Sequence, residues 1–237
     1  MSDRPLNLRQ AAEHVHLDAN ELRHVAQRGE IEATEHGGDW WFEHRALDEW
    51  AQRNLLSVGR RPLEERYRSM VDEERRASRP CAGLAAILDP ASVELALGAK
   101  GKAGVLRDLA DLAERSGKVY DPEGLYRELA DREEAASTAV GGGIAFPHPQ
   151  FHDPYFFEET FVAYARSPGG VYFGAPDDEP TRHFFLVCAT DHDRHMHILA
   201  RLAMLAMRTS LRERLDAAED VEGVIEAVKA SEAELGR

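Results

Sequence analysis

Over residues 102–116 the apolar positions return at three- and four-residue steps, the spacing that lays one stripe of a helix against a core. The same period covers 122–135, 195–208 and 221–230. Between these stretches, 93–97, 161–165 and 183–189 are short apolar or alternating runs that predict strands. Interleaved helices and strands predict an α/β unit with a mixed sheet over 81–237. The first fifty residues follow another rhythm. A short helix over 9–14 is predicted, then a second one capped by Asp18 with Glu21 three residues on and stopped at Gly29. The run IEATEHGGDWWFE reads as a hairpin turning at Gly37 and Gly38, and a last helix covers 45–53. Between the two, 54–80 carries both charge signs in i,i+4 pairs (Glu64 with Arg68, Asp72 with Arg76) and only Leu63, Tyr67, Met70 and Val71 as an apolar stripe. A charged helical linker is expected there, because the stripe is too short for a coiled coil. The organisation expected is therefore 1–53, a linker at 54–80, and 81–237, with no internal repeat.

Composition narrows the classes. The chain has 237 residues and a formal net charge of -14, which works against unaided adhesion to nucleic acid or anionic membranes. Cys81 and Cys188 are distant and lie among apolar residues, which predicts reduced core thiols, no disulfide and no Cys-based metal site. No apolar run approaches the roughly 20 residues that span a bilayer, and the first ten residues lack the apolar core of a secretory leader. A cytoplasmic protein without membrane contact is expected.

Helix, tight turn, helix, hairpin, helix is the order of a small winged helix-turn-helix. Leu8, Ala11, Ala12, Val15, Gly29, Ile31, Gly37, Gly38, Trp40, Phe42, Leu47 and Trp50 stand where the excisionase and MerR-like family places its core and turn residues, and residues 1–53 resemble that family. The resemblance implies a DNA-binding unit, with Asn20, Arg23, His24 and Arg28 on the second helix and Trp41 on the wing as its contacts. Charge argues the other way. Six arginines and no lysine stand against eleven carboxylates in 1–53, a net of -5, whereas phosphate contacts by Lys and Arg dominate DNA affinity. DNA and protein both remain open as partners of this unit, and a homodimer would pair half-sites.

The segment LYRELADREEAASTAVGGGIAFPH carries the more specific pattern: Arg132 with Glu133, Thr138, a turn at Gly141, Gly142 and Gly143, then Ile144, Ala145, Pro147 and His148. With its flanking helices and strands, about 84–230, it resembles the fructose/mannitol-type enzyme IIA domain of the bacterial phosphotransferase system. An enzyme IIA-like α/β sandwich is implied, with His148 as phosphoryl acceptor and an HPr-like phosphocarrier protein as partner. No membrane or sugar-transport portion accompanies it, which suggests regulation, as in the nitrogen-regulatory branch of that family. Neither cofactor nor metal is expected.

The residue types suit that chemistry. Imidazole is a nucleophile that is uncharged near neutral pH. A fixed guanidinium, here Arg132, offsets phosphoryl oxygens by planar two-point hydrogen bonding. A glycine turn lets backbone N–H groups approach those oxygens. The resemblance also implies a second histidine, in DRHMHIL. At ~100° per residue His195 shares a face with Leu199, Leu202 and Ala206, whereas His197 points away, so His195 is expected beside His148. Thr138 completes the expected catalytic set. One position departs from the family: Pro149 follows His148 where glycine is usual, which removes a backbone donor and fixes φ near -65°. A IIA fold kept as a protein-interaction module without phosphorylation is therefore an alternative. A metal-dependent enzyme built on His148, His152, His183, His192, His195 and His197 is another, although HExxH and Cys spacings are absent.

Overall fold

The computed structural model describes residues 4–57, 67, 68, 71, 83–150 and 156–236. The chain divides into two units, 1–79 and 80–237. Most of the expected linker, including Leu63, Glu64, Met70, Asp72 and Arg76 of its stripe and charge pairs, lies outside the described residues, as do Cys81 and His152.

In the first unit β1 (Leu6–Asn7) leads directly into α1 (Leu8–His14), because Asn7 and Gln10 exchange side-chain and backbone hydrogen bonds across the first turn. α2 (Ala19–Gln27) starts where the Asp18 carboxylate accepts the N–H groups of Asn20 and Glu21. β2 (Ala33–His36) and β3 (Asp39–Phe42) pair across Gly37 and Gly38, whose φ values of 64° and 87° are those a two-residue hairpin turn needs. β1 takes the other edge of β3, giving the order β1-β3-β2. α3 (His44–Ser57) closes the unit. Its core is Ala11, Val15, Leu22, Val25, Phe42, Leu47 and Trp50, all buried.

The second unit begins with α4 (Leu84–Ile87) and β4 (Leu88–Glu94), followed by α5 (Lys102–Glu114) and α6 (Pro122–Ala135). The short strands β5 (Ala139–Gly141) and β6 (Ile144–Ala145) precede the long pair β7 (Phe161–Val171) and β8 (Thr181–Cys188). The helices α7 (His192–Arg208), α8 (Leu211–Ala217) and α9 (Val221–Leu235) end the chain. The sheet is mixed, in the order β4-β7-β8-β6-β5, with parallel β4–β7 and β8–β6 and antiparallel β7–β8 and β6–β5. Period-two alternation distributes side chains to its two faces. Phe161, Ala163 and Ala165 of β7 join Phe184, Leu186 and Cys188 of β8 in one core with Val105, Leu109 and Leu125 of α5 and α6. On the other side α4 and α9 pack on β4, and α7 on β8.

The elements differ from expectation in several places, of which three bear on the second unit's architecture. The first strand runs from Leu88 to Glu94, several residues before the expected 93–97, because a bulge around Pro90 breaks the apolar alternation. An edge strand tolerates that proline, and β4 is at the edge. α7 starts at His192, where Asp191 caps it by accepting the Arg194 N–H. The strands β5 and β6 are too short to leave a periodic signal. No helix among the described residues is long and apolar enough to cross a membrane.

Candidate functional site

α6 ends when Ala136 turns to extended backbone, and this brings its last-turn residues Arg132 and Glu133 into the interior, 4% and 3% exposed. The Arg132 Nη1 donates to the carbonyl of Ala136 at 2.7 Å and its Nε to Nε2 of His148 at 3.1 Å. His148 lies beyond β6, on a segment held to β8 by the Val187 N–H donating to Pro147 O. Its Nδ1 is 2.6 Å from the Phe146 carbonyl. A carbonyl can only accept, so Nδ1 carries the hydrogen and Nε2 keeps its lone pair; the Arg132 bond demands the same tautomer. His195, in the first turns of α7, sets its ring centroid 4.8 Å from that of His148, with the planes at 63°. Both imidazoles are fully buried.

Three of the four expected catalytic residues are thus brought together. Thr138 is one step removed. Its hydroxyl donates to Glu133 Oε2 at 2.6 Å and its N–H donates to the same oxygen at 2.9 Å. The hydroxyl hydrogen is therefore spent on a buried carboxylate, not offered to a ligand at His148. Lys102 Nζ lies 2.9 Å from the other oxygen of Glu133. Sequence pattern gave Glu133 only as part of a motif and did not single out Lys102, a cation at the start of α5.

The glycine turn requires a correction. Gly142 and Gly143 form the tip of the β5–β6 hairpin, at φ 61° and 76°. The Thr138 carbonyl accepts from Phe146 N at the opposite end of that hairpin, so the paired rungs separate the tip from the segment reaching His148. The Gly142 N–H already donates to Asp177 Oδ2 at 2.7 Å, and this bond holds the Asp177 carboxyl below its ordinary pKa. Sequence adjacency suggested a phosphate cradle, whereas the hairpin sets its glycine tip and the segment leading to His148 at opposite ends.

His197 also differs from expectation. It is buried like His195, because α7 buries almost every residue from His195 to Leu205 and has no solvent face there.

Another buried histidine, His183, lies elsewhere in the same unit. Tyr164 on β7 approaches Nδ1 of His183 on β8 at 2.8 Å, and His183 Nε2 is 3.2 Å from the Asp216 carboxylate. The carboxylate fixes the hydrogen on Nε2, so Nδ1 accepts from the Tyr164 hydroxyl. Burial pushes the His183 pKa down despite Asp216, and pushes the Tyr164 hydroxyl well up. With both nitrogens engaged in this way, His183 does not belong to the six-histidine metal set considered from sequence.

In the first unit Asn20, Arg23 and His24 on α2 and Arg28 just after it are all exposed. Arg28 is ion-paired with Glu30, Arg23 donates to Asn20, and His24 contacts Gln27. Trp41 is not an exposed wing residue. It sits on the central strand β3, half-buried, beside a cleft of about 370 Å³ that Pro5, Leu6 and Gln10 also line.

Residues 86–231 match the family model described as "Phosphoenolpyruvate-dependent sugar phosphotransferase system, EIIA 2". The fructose-specific EIIA component of Haloferax volcanii is 37% identical over 125 residues, covering 52% of this chain and 79% of that protein. The fructose-specific EIIABC component of Bacillus subtilis is 28% identical over 144 residues, 60% of this chain but 22% of that longer protein. Among solved structures, the nitrogen regulatory protein IIA-Ntr of Neisseria meningitidis aligns with a TM-score of 0.55 at 25% identity, over 61% of this chain and 97% of that one.

Proposed function

The chain belongs to the phosphoenolpyruvate-dependent sugar phosphotransferase system EIIA 2 family, and on that premise we propose that His148 accepts a phosphoryl group at Nε2 and that the N-terminal unit reads the result. The observation that carries this is the tautomer: Nδ1–H is held by Phe146 O, and the lone pair of Nε2 faces the Arg132 guanidinium beside His195. The donor is a phosphohistidine on an HPr-like phosphocarrier protein. Its P–N bond breaks, its imidazole, protonated on the other ring nitrogen, leaves neutral with the bonding pair, and a new P–N bond forms to His148 Nε2. His148 keeps its Nδ1 hydrogen throughout and becomes a phosphoimidazolium; no net proton is required. Arg132 exchanges its bond to Nε2 for bonds to the phosphoryl oxygens, so its charge is in place where negative charge gathers.

The new group adds close to two negative charges. The first unit acts as a winged helix-turn-helix, with the exposed α2 face as its contact surface, and the whole protein as a cytoplasmic regulator. For the first step, the protein is incubated with phosphoenolpyruvate, enzyme I and the carrier, and intact mass is measured. An acid-labile gain of one phosphoryl group, lost in His148→Ala, is expected; a wild type that gains nothing contradicts the reading. For the second, a gel shift on the DNA upstream of the protein's own gene is expected to weaken with salt and to vanish in Arg23→Ala/Arg28→Ala. An unshifted probe leaves a protein as the partner of that unit.

Pro149 and the complete burial of His148 favour a second reading, a IIA fold used as an interaction module without phosphorylation. On that reading the wild type stays unphosphorylated and Pro149→Gly gains acceptance, because glycine restores a backbone donor. A wild type that is already fully competent removes it.

A further inference from the structure

An ion pair and a series of hydrogen bonds connect the surface of α5 to the reactive imidazole and back. Lys102 Nζ stands 2.9 Å from Glu133 Oε1. Glu133 Oε2 accepts the N–H and hydroxyl of Thr138. The Thr138 carbonyl accepts the N–H of Phe146, whose own carbonyl takes the hydrogen of His148 Nδ1. His148 Nε2 then accepts from Arg132, the residue before Glu133. The circuit closes on one helical turn. Arg132 and Glu133 are consecutive, so a backbone shift at Glu133 is passed to the residue whose guanidinium faces His148.

We propose that Glu133, neutralised by Lys102, is the positioning residue that holds His148 in its Nδ1–H tautomer and Arg132 against Nε2. This rests on the phosphoryl-acceptor reading for its consequence, but its geometry stands on the unphosphorylated protein. Glu133 suits the role because it can only accept. One oxygen meets two donors of Thr138, and the other meets an ammonium that has only donors. A glutamine there must turn its NH₂ towards either Lys102 or Thr138, and either choice sets donor against donor. The carboxylate is 3% exposed, so without the cation it would be an uncompensated buried charge. Lys102 also lies over the Phe173 ring, 5.1 Å from its centroid, which fixes the ammonium without occupying its other hydrogens.

The test uses the full chain with ¹⁵N-labelled imidazoles. In the wild type His148 is expected to show a protonated Nδ1 and a bare Nε2. Glu133→Gln is expected to mix the tautomers and to slow phosphoryl acceptance about tenfold or more. Lys102→Met/Glu133→Gln removes the donor clash and is expected to restore the wild-type nitrogen pattern and most of the rate. A general loss of stability would shift the melting temperature without choosing a tautomer. If Glu133→Gln does not fold, Lys102→Met alone carries the test, with a smaller displacement of the same signals expected. Unchanged His148 nitrogens in the folded single variants, or a double variant no better than Glu133→Gln, overturn the proposal. A wild type that takes no phosphate contradicts the acceptor reading and leaves the nitrogen spectra to decide this one.

Discussion

Two of the buried histidines in the second unit, His148 and His183, lie in opposite electrical surroundings. His148 directs Nε2 at a guanidinium, with a backbone carbonyl behind it; His183 directs Nε2 at a carboxylate, with a tyrosine hydroxyl behind it. The partner decides where the hydrogen sits, and so which nitrogen can react. At His148 the bare nitrogen faces a positive group suited to incoming phosphoryl oxygens. At His183 the corresponding nitrogen carries the hydrogen, and the lone pair on Nδ1 is already used by Tyr164. Burial and residue type are shared, and on the proposed reading only His148 is arranged as a nucleophile.

The sharpest way to break this contrast is to remove each ring in turn. His148→Ala is expected to lower phosphoryl acceptance to background, whereas His183→Gln should keep the rate within about twofold while costing about 2 kcal/mol in unfolding free energy. Equal losses of acceptance would erase the distinction. Next in size, Arg132→Lys should slow acceptance by about ten- to a hundredfold, because one ammonium cannot reproduce the bonds that Nε makes to His148 and Nη1 makes to Ala136. A rate equal to wild type would show that the guanidinium geometry is irrelevant.

The third contrast is in pH. The folded-state pKa of His183 lies below its ordinary value of 6.5, so the folded protein binds fewer protons than the unfolded chain below that pH. Its contribution to stability is therefore complete above about pH 6.5 and is lost as pH falls towards the depressed value. Denaturant melts from pH 7.5 to pH 5 should show this decline, and His183→Gln should flatten it; an unchanged slope would contradict the assignment. The smallest effect expected is that of Tyr164→Phe, about 1–2 kcal/mol by denaturant unfolding, from leaving His183 Nδ1 without a donor. Acceptance by His148 should be unaffected.

Much of this fold is legible in the sequence. The apolar period placed α5 and α6 to within a residue or two, and the Gly37–Gly38 pair placed a hairpin where β2 and β3 turn. Periodicity was also enough to bring His195 forward, although the stated contrast with His197 was not what separates them, since α7 is buried on most sides. What the sequence could not reveal is how backbone turns redirect neighbours. Arg132 and Glu133 point to different partners from one helical turn, and Gly142 sits six residues before His148 yet at the far end of a hairpin. Thr138 and its carboxylate partner are joined because α6 ends abruptly at Ala136, and nothing in the spacing of polar residues encodes that closure. In the first unit the elements were readable and their use was not, because the α2 cations pair locally and leave no buried geometry to interpret.

The central claim is that the nucleophile is His148 Nε2. It is tested most directly by ¹⁵N and ³¹P NMR on imidazole-labelled protein, before and after incubation with phosphoenolpyruvate, enzyme I and the carrier. The account predicts that phosphorus couples to Nε2 of His148 while Nδ1 remains protonated in both states. Phosphorus on Nδ1, or on any other histidine, would contradict it.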